Sequence, residues 1–143
     1  MYSRIMVGTD GSELSNKAVD HAIELCKSFG AELIAVSVVN METVACVEEP
    51  TSDIYCQIQE KLEKNANKIL DEVEKKAIRE NIMFKKIVQA GDPASTMVEL
   101  SRREGVDLLI VGTRGSLGVE RVALGSHAQK IVRWATVPVL VVR

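Results

Sequence analysis

The sequence is poor in aromatic side chains and has no strong excess of either charge. Only five of its 143 residues are aromatic, and the formal net charge is −2. Single-stranded nucleic acids are bound largely by stacking of bases on aromatic rings, and duplexes by neutralisation of phosphates with Lys and Arg. The composition therefore argues against nucleic acid as the partner.

Long apolar segments and cysteine motifs are also scarce. The first residues, MYSRIMVGTDGSEL, lack the basic segment and apolar run of a secretory signal. No stretch approaches the roughly 20 apolar residues of a membrane span. The three cysteines, Cys26, Cys46 and Cys56, form no C-x-x-C motif and are odd in number, which favours reduced thiols. These absences predict a cytoplasmic protein that does not associate with membranes, with Cys26 in the core and a redox role of the other two cysteines left open.

Short apolar runs alternate with helical patterns along the whole chain. Runs such as IMV at 5–7 and LLIV at 108–111 are apolar throughout, which is typical of strands covered on both faces of a parallel sheet. The five predicted strands are Arg4–Gly8, Glu32–Asn40, Met83–Val88, Asp107–Gly112 and Val137–Arg143.

Four helices are predicted between these strands. They cover about 12–29 and 54–80, begin at Asp92-Pro93, and cover about 126–135, whereas 41–53 is predicted to be a loop. Gly30, Asn81 and Gly105 each follow a helical pattern and are predicted to end the helices in the left-handed conformation. The order of elements predicts one domain over residues 1–143, an α/β fold with a doubly wound parallel sheet and helices on both faces.

A glycine-rich segment follows the fourth predicted strand. It reads Gly112-Thr113-Arg114-Gly115 and, nine residues later, Gly125-Ser126, which gives the frame G-x2-G-x9-G-[ST]. Glycine lets the backbone approach a ligand closely, and the start of the fourth helix offers free N–H groups and the Ser126 hydroxyl to a phosphate. There is neither a P-loop lysine nor a G-x-G-x-x-G after the first strand. From the residues alone, a phosphate site and simple turns both remain open.

An acidic residue, Asp10, follows the first predicted strand in the segment Gly8-Thr9-Asp10-Gly11-Ser12. A carboxylate at the carboxyl end of a central parallel strand faces the ligand crevice. Asp10 could bind ribose hydroxyls or help to hold a divalent metal there. The alternative is a helix cap, because Asp10 and Glu13 have the spacing of a capping box, although Ser12 could cap instead.

Several segments together resemble the universal stress protein family over the whole chain, and the glycine frame resembles its ATP-binding branch. These segments are IMVGTDGS at 5–12, AGDPA at 90–94, DLLIVGTRG at 107–115, LGSHA at 124–128 and VPVLVV at 137–142. The resemblance implies a Rossmann-like fold, of the adenine nucleotide alpha hydrolase-like kind, with strand order 3-2-1-4-5. It also implies ATP with Mg²⁺ as the ligand and a homodimer formed through Val137–Arg143.

The resemblance further implies a role for individual residues. Asp10, with Thr9 beside it, would contact ribose or a phosphate-bound metal, Val38 would meet adenine, and Gly112 would lie against the ribose. The residues implied at the phosphates are Gly115, Gly125, Ser126, His127 and Ala128. Arg114 and Arg121 flank the glycines and either pair with phosphate oxygens or are surface charges. His127 stands where the family more often has an apolar residue, and we interpret it as a helix-face histidine rather than a catalytic one.

The function predicted from these features is that of an ATP-binding regulatory or stress-response protein. Hydrolysis is expected to be slow or absent, because the sequence has no P-loop lysine and no evident base beside the glycines. The alternatives are a slow ATPase or nucleotidyl-transferring relative, and an interaction module that binds no nucleotide.

Overall fold

The computed structural model describes residues 1–113 and 124–143. The elements in chain order are β1 Arg4–Gly8, α1 Glu13–Phe29, β2 Glu32–Val39, α2 Glu42–Ala45, α3 Asp53–Arg79, β3 Phe84–Ala90, α4 Pro93–Arg103, β4 Leu108–Gly112, α5 Ser126–Trp134 and β5 Val139–Val142. The strands form one parallel sheet in the order β3-β2-β1-β4-β5, as expected.

The two faces of the sheet are covered by different helices. Odd-numbered residues of β1, such as Ile5 and Val7, pack against α1 and the C-terminal half of α3. The intervening Met6 packs on the other face, in a core cluster with residues of α4 and α5. Because successive side chains of a strand point to opposite faces, strands that are apolar throughout can bury both faces. The prediction of helices on both faces is confirmed.

The helix ends follow local signals in the sequence. The Ser12 hydroxyl caps α1 by accepting a hydrogen bond from Ser15 N. Gly30, Asn81 and Gly105 have φ values of 65°, 56° and 63°, which confirms the predicted left-handed endings. The segment 41–53 differs from the predicted loop, since it contains the short helix α2.

The three cysteines differ in environment. Cys26 is 1% exposed, and burial raises the pKa of its thiol to about 12, so its place in the core is confirmed. Cys46 and Cys56 are free thiols on the surface.

Candidate functional site

The chain leaves the two central strands β1 and β4 in opposite directions. The helix after β1, α1, lies on one face of the sheet, and the helix after β4, α5, lies on the other. Val7 of β1 is paired with Ile110 of β4, so Gly112 lies level with Thr9 at the carboxyl end of the sheet. Diverging connections at this point leave a crevice where sheets of this kind bind ligands.

A cavity of about 150 Å³ opens beside this end of the sheet. Asp10 contributes to it from the turn after β1, and Val38 contributes from β2. The fold thus brings together the two residues that were expected at the ribose and the adenine. The other residues around the cavity are Ser37, Val39 and Asn40 from β2 and its end, and Leu62, Asn65, Ala66 and Ile69 from α3.

The α3 side of the cavity was missed by sequence reasoning. Its stripe of residues at steps of three and four, including Leu62, Ala66 and Ile69, indicates an amphipathic helix and therefore reads as core. Asn65, which is exposed, is the polar residue that interrupts this side. The only signal in the sequence for this side of the cavity was a polar residue, Asn65, beside the apolar stripe of the helix.

Hydrogen bonds hold the Asp10 carboxylate in place. Its Oδ1 accepts from Ser12 N at 2.9 Å and from Ser15 Oγ at 2.9 Å. Asp10 is therefore not the cap of α1; Ser12 caps the helix, which was the other possibility. The geometry leaves Asp10 beside the cavity with one carboxylate oxygen fixed against the start of α1.

Thr9 is buried directly behind Asp10. Its N–H donates to Val36 O at 2.9 Å, which extends the pairing of β1 and β2 by one residue. Its Oγ1 lies 3.1 Å from Ser15 Oγ and accepts from Gly11 N at 3.2 Å. The hydroxyl of Thr9 thus belongs to the internal bonding of the turn that carries Asp10.

Backbone hydrogen bonds connect the residue after β4 to the start of α5 and to the end of β5. Gly125 N donates to Thr113 O at 2.7 Å, and Thr113 N donates to Val142 O at 2.9 Å. These two bonds bring the end of β4, with Gly112, to the start of α5. Arg114, Gly115 and Arg121, the remaining predicted residues of the glycine segment, lie outside the described residues.

The first turn of α5 offers backbone donors at the same place. Gly125 is the N-cap, with φ −64° and ψ 161°, and within residues 1–113 and 124–143 no side chain caps the helix. Ser126, His127 and Ala128 form the first turn, and the N–H groups there cannot be satisfied within the helix. Ser126 is the first residue of the helix and is not its cap. Its side chain is exposed, whereas Ala128 is buried against the sheet.

Charged side chains surround this helix end. Two hydrogen bonds from Ser95, from its N–H at 2.9 Å and its hydroxyl at 2.8 Å, lower the pKa of Asp92, and the nearby positive charge of Lys130 lowers it further. His127 is exposed and near Asp92, rather than packed inward. The surface next to the start of α5 therefore carries both signs of charge.

Across residues 1–113 and 124–143, no three His, Cys, Asp or Glu residues cluster in a way that could hold a metal ion. None of the helices in the same ranges is long and apolar enough to cross a membrane.

The chain is similar to known proteins along its full length. The model of the universal stress protein family matches residues 1–143. A universal stress protein of Methanocaldococcus jannaschii is 35% identical over 143 residues, which are 100% of this chain and 83% of the relative.

Solved structures agree with this match. The structure of another Methanocaldococcus jannaschii universal stress protein has a TM-score of 0.85 and 28% identity, covering 99% of this chain and 96% of that one. A universal stress protein crystallised in complex with cAMP has a TM-score of 0.69 and 28% identity, covering 99% of this chain and 97% of that one. Because the family model matches every residue, the chain belongs to the universal stress protein family.

Proposed function

We propose that this protein binds ATP, with Mg²⁺, in the crevice between the turn after β1, the end of β2 and the start of α5. The observation that carries the proposal is that two features lie at the carboxyl end of the same sheet. One is a cavity bordered by Asp10 and Val38, and the other is the contact of Thr113 with Gly125 at an uncapped helix start.

The start of α5 suits the phosphates. Its first N–H groups, which have no partner within the helix, and the positive end of the helix dipole favour an anion. Gly125 has no side chain to keep phosphate oxygens from the backbone. In the proposed complex Ser126 donates its hydroxyl to the phosphates, and the N–H groups of His127 and Ala128 add donors. Arg114 and Gly115 are proposed at the phosphates on the strength of the sequence frame.

The cavity suits the nucleoside. In the proposed complex Val38 and Ile69 offer apolar surface to the adenine ring, and Asp10 and Gly112, which follow or end the central strands, contact the ribose. The Asp10 carboxylate would accept hydrogen bonds from ribose hydroxyls or help to hold the phosphate-bound Mg²⁺. The relative that was crystallised with cAMP, 28% identical to this chain, supports an adenine nucleotide as the ligand class.

We propose a regulatory, stress-response role in the cytoplasm, with slow or no hydrolysis. Rapid phosphoryl transfer needs a positioned base or water-orienting residue. Among the described residues around the cavity, Asp10 supplies the only carboxylate, and its Oδ1 is engaged by Ser12 and Ser15. We expect turnover far below the roughly 1–10³ s⁻¹ typical of enzymes.

Mass spectrometry of freshly purified, undialysed protein tests whether a nucleotide is bound, and calorimetric titration with ATP and Mg²⁺ measures the affinity. Asn65→Trp places a bulky ring on an exposed position beside the cavity and should weaken ATP binding at least about tenfold. Asn67→Trp, an exposed residue of the same helix that is not among those around the cavity, is the matched control and should leave the affinity unchanged.

Absence of ATP binding by the wild-type protein, or equal effects of the two substitutions, would contradict the proposed site. Sustained turnover in the enzymatic range, abolished by Asp10→Ala, would instead support the ATPase alternative.

A further inference from the structure

A buried serine, Ser15, sits in the first turns of α1 with its hydroxyl surrounded by oxygen atoms. Its side chain is 5% exposed. Its Oγ lies 2.9 Å from Asp10 Oδ1, 3.0 Å from Ser12 O, 3.1 Å from Thr9 Oγ1 and 3.2 Å from Ser12 Oγ. A hydroxyl has one hydrogen to donate and two lone pairs to accept with, so these neighbours compete for it.

The hydrogen of this hydroxyl goes to Asp10. The ionised carboxylate is a stronger acceptor than the Ser12 carbonyl, and the distance to it is also the shortest. The lone pairs of Ser15 Oγ are then left for donors such as the Ser12 hydroxyl at 3.2 Å and Asp10 N at 3.4 Å. Ser15 thus contacts both the carboxylate and the backbone of Asp10.

The position of Asp10 explains why this contact matters. Asp10 borders the cavity, and its side chain is exposed. An exposed Asp samples several rotamers, and fixing one of them on ligand binding costs conformational entropy. With Oδ1 held by Ser12 N and Ser15 Oγ, the orientation of the carboxylate is set before a ligand arrives.

We propose that Ser15 is a positioning residue for ribose recognition, one that orients the Asp10 carboxylate toward the ribose hydroxyls without touching the nucleotide itself. The inference rests on the proposed function, because it requires an ATP ribose at Asp10. It adds to that function a buried residue that selects nucleotides carrying ribose hydroxyls.

A second buried serine on a helix provides a control that distinguishes a positioning role of Ser15 from a role in packing alone. Ser101 in α4 is 1% exposed and donates its hydroxyl to Val98 O at 2.7 Å. Like Ser15, it is a buried hydroxyl on a helix, but its hydrogen bond stays within α4, on the opposite face of the sheet, and Ser101 is not among the residues around the cavity. Ser101→Ala is therefore the matched control for Ser15→Ala.

The test is calorimetric titration with ATP and with 2′,3′-dideoxy-ATP, which lacks both ribose hydroxyls. The wild type should bind ATP at least about tenfold more tightly than the dideoxy nucleotide. Ser15→Ala should weaken ATP about 3- to 10-fold and leave the dideoxy nucleotide within twofold of wild type. In an Asp10→Ala background the same substitution should change ATP binding less than about twofold, since the residue that it orients is gone.

Melting curves show that each variant is folded, and Ser101→Ala should lower stability without changing the ratio of the two affinities. An equal loss of both nucleotides in Ser15→Ala, or an undiminished effect in the Asp10→Ala background, would overturn the inference while ATP binding stands. A wild-type protein that binds neither nucleotide would refute the proposed function and this inference together.

Discussion

Replacing Gly125 with valine tests which of two reasons accounts for the glycine at the start of α5. One reason is a backbone conformation closed to other residues, and the other is room for a ligand. Gly125 has φ −64° and ψ 161°, an extended conformation open to any L-residue and favourable for a β-branched one. The backbone conformation therefore does not require glycine here, whereas a phosphate lying against the backbone does.

The effect on stability should be small. Valine is a poorer N-cap than glycine, and the difference amounts to about 1 kcal/mol. For a domain of this size that lowers Tm by about 2–4 °C. The hydrogen bond from residue 125 N to Thr113 O is a backbone bond and survives the substitution.

The effect on binding should be large, because the valine side chain would occupy the volume proposed for phosphate. ATP at a hundredfold excess over its Kd stabilises the wild type by about 2.7 kcal/mol, which raises Tm by about 5–11 °C. We expect a rise below about 1 °C for Gly125→Val. The assay is thermal unfolding with and without ATP and Mg²⁺, supported by calorimetry. A folded Gly125→Val protein that keeps the full ATP-dependent rise in Tm would refute the proposed phosphate site.

Three further predictions concern the phosphates, the folded state and the assembly. Ser126→Ala should weaken ATP binding by about 1.5–3 kcal/mol in calorimetry and leave adenosine binding and Tm almost unchanged, because Ser126 does not cap α5; a loss shared by adenosine would contradict the phosphate contact. Asp92→Ala should lower the free energy of unfolding by about 1 kcal/mol at pH 7, since Asp92 caps α4. The folded-state pKa of Asp92 is depressed, so this stabilisation is present near neutral pH and is lost as the pH falls through that pKa; a difference in urea unfolding that persists in acid would contradict the account. The protein should be a homodimer through β5, with twice the monomer mass in light scattering at micromolar concentration. Pro138 O accepts from Leu109 N and Val142 O accepts from Thr113 N, so even-numbered residues of β5 face β4 and Val141 directs its N–H away from it. Val141→Pro should therefore yield a folded monomer; a wild-type monomer would refute the dimer.

Much of the fold could be read from the sequence because its signals are local. The apolar runs mark β1 and β4 almost to the residue, and glycine or asparagine at 30, 81 and 105 ends helices where the left-handed conformation is needed. The strand order came from the resemblance of whole segments to a family, since pairing between distant strands leaves little trace in any one segment.

The candidate site, like the fold, could be predicted from the sequence only in part. Asp10, Gly112 and Gly125 could be singled out from the sequence, because acids and glycines after parallel strands indicate ligand sites. The α3 side of the cavity and the bond from Ser15 to the Asp10 carboxylate could not. Asn65 is far along the chain from Asp10, and the short spacing of Ser12 and Ser15 fits several capping arrangements equally well.

The sequence by itself determined where the five strands and the four longer helices form, because hydrophobic periodicity and caps act within a few residues. Only the tertiary structure decided what those elements enclose. Packing of α3 across β2 puts Asn65 and Ile69 around the cavity that Asp10 borders, and the bond between Gly125 and Thr113 brings the start of α5 to the end of β4. Both arrangements depend on burial and hydrogen bonding between residues far apart in the chain, which no local pattern encodes.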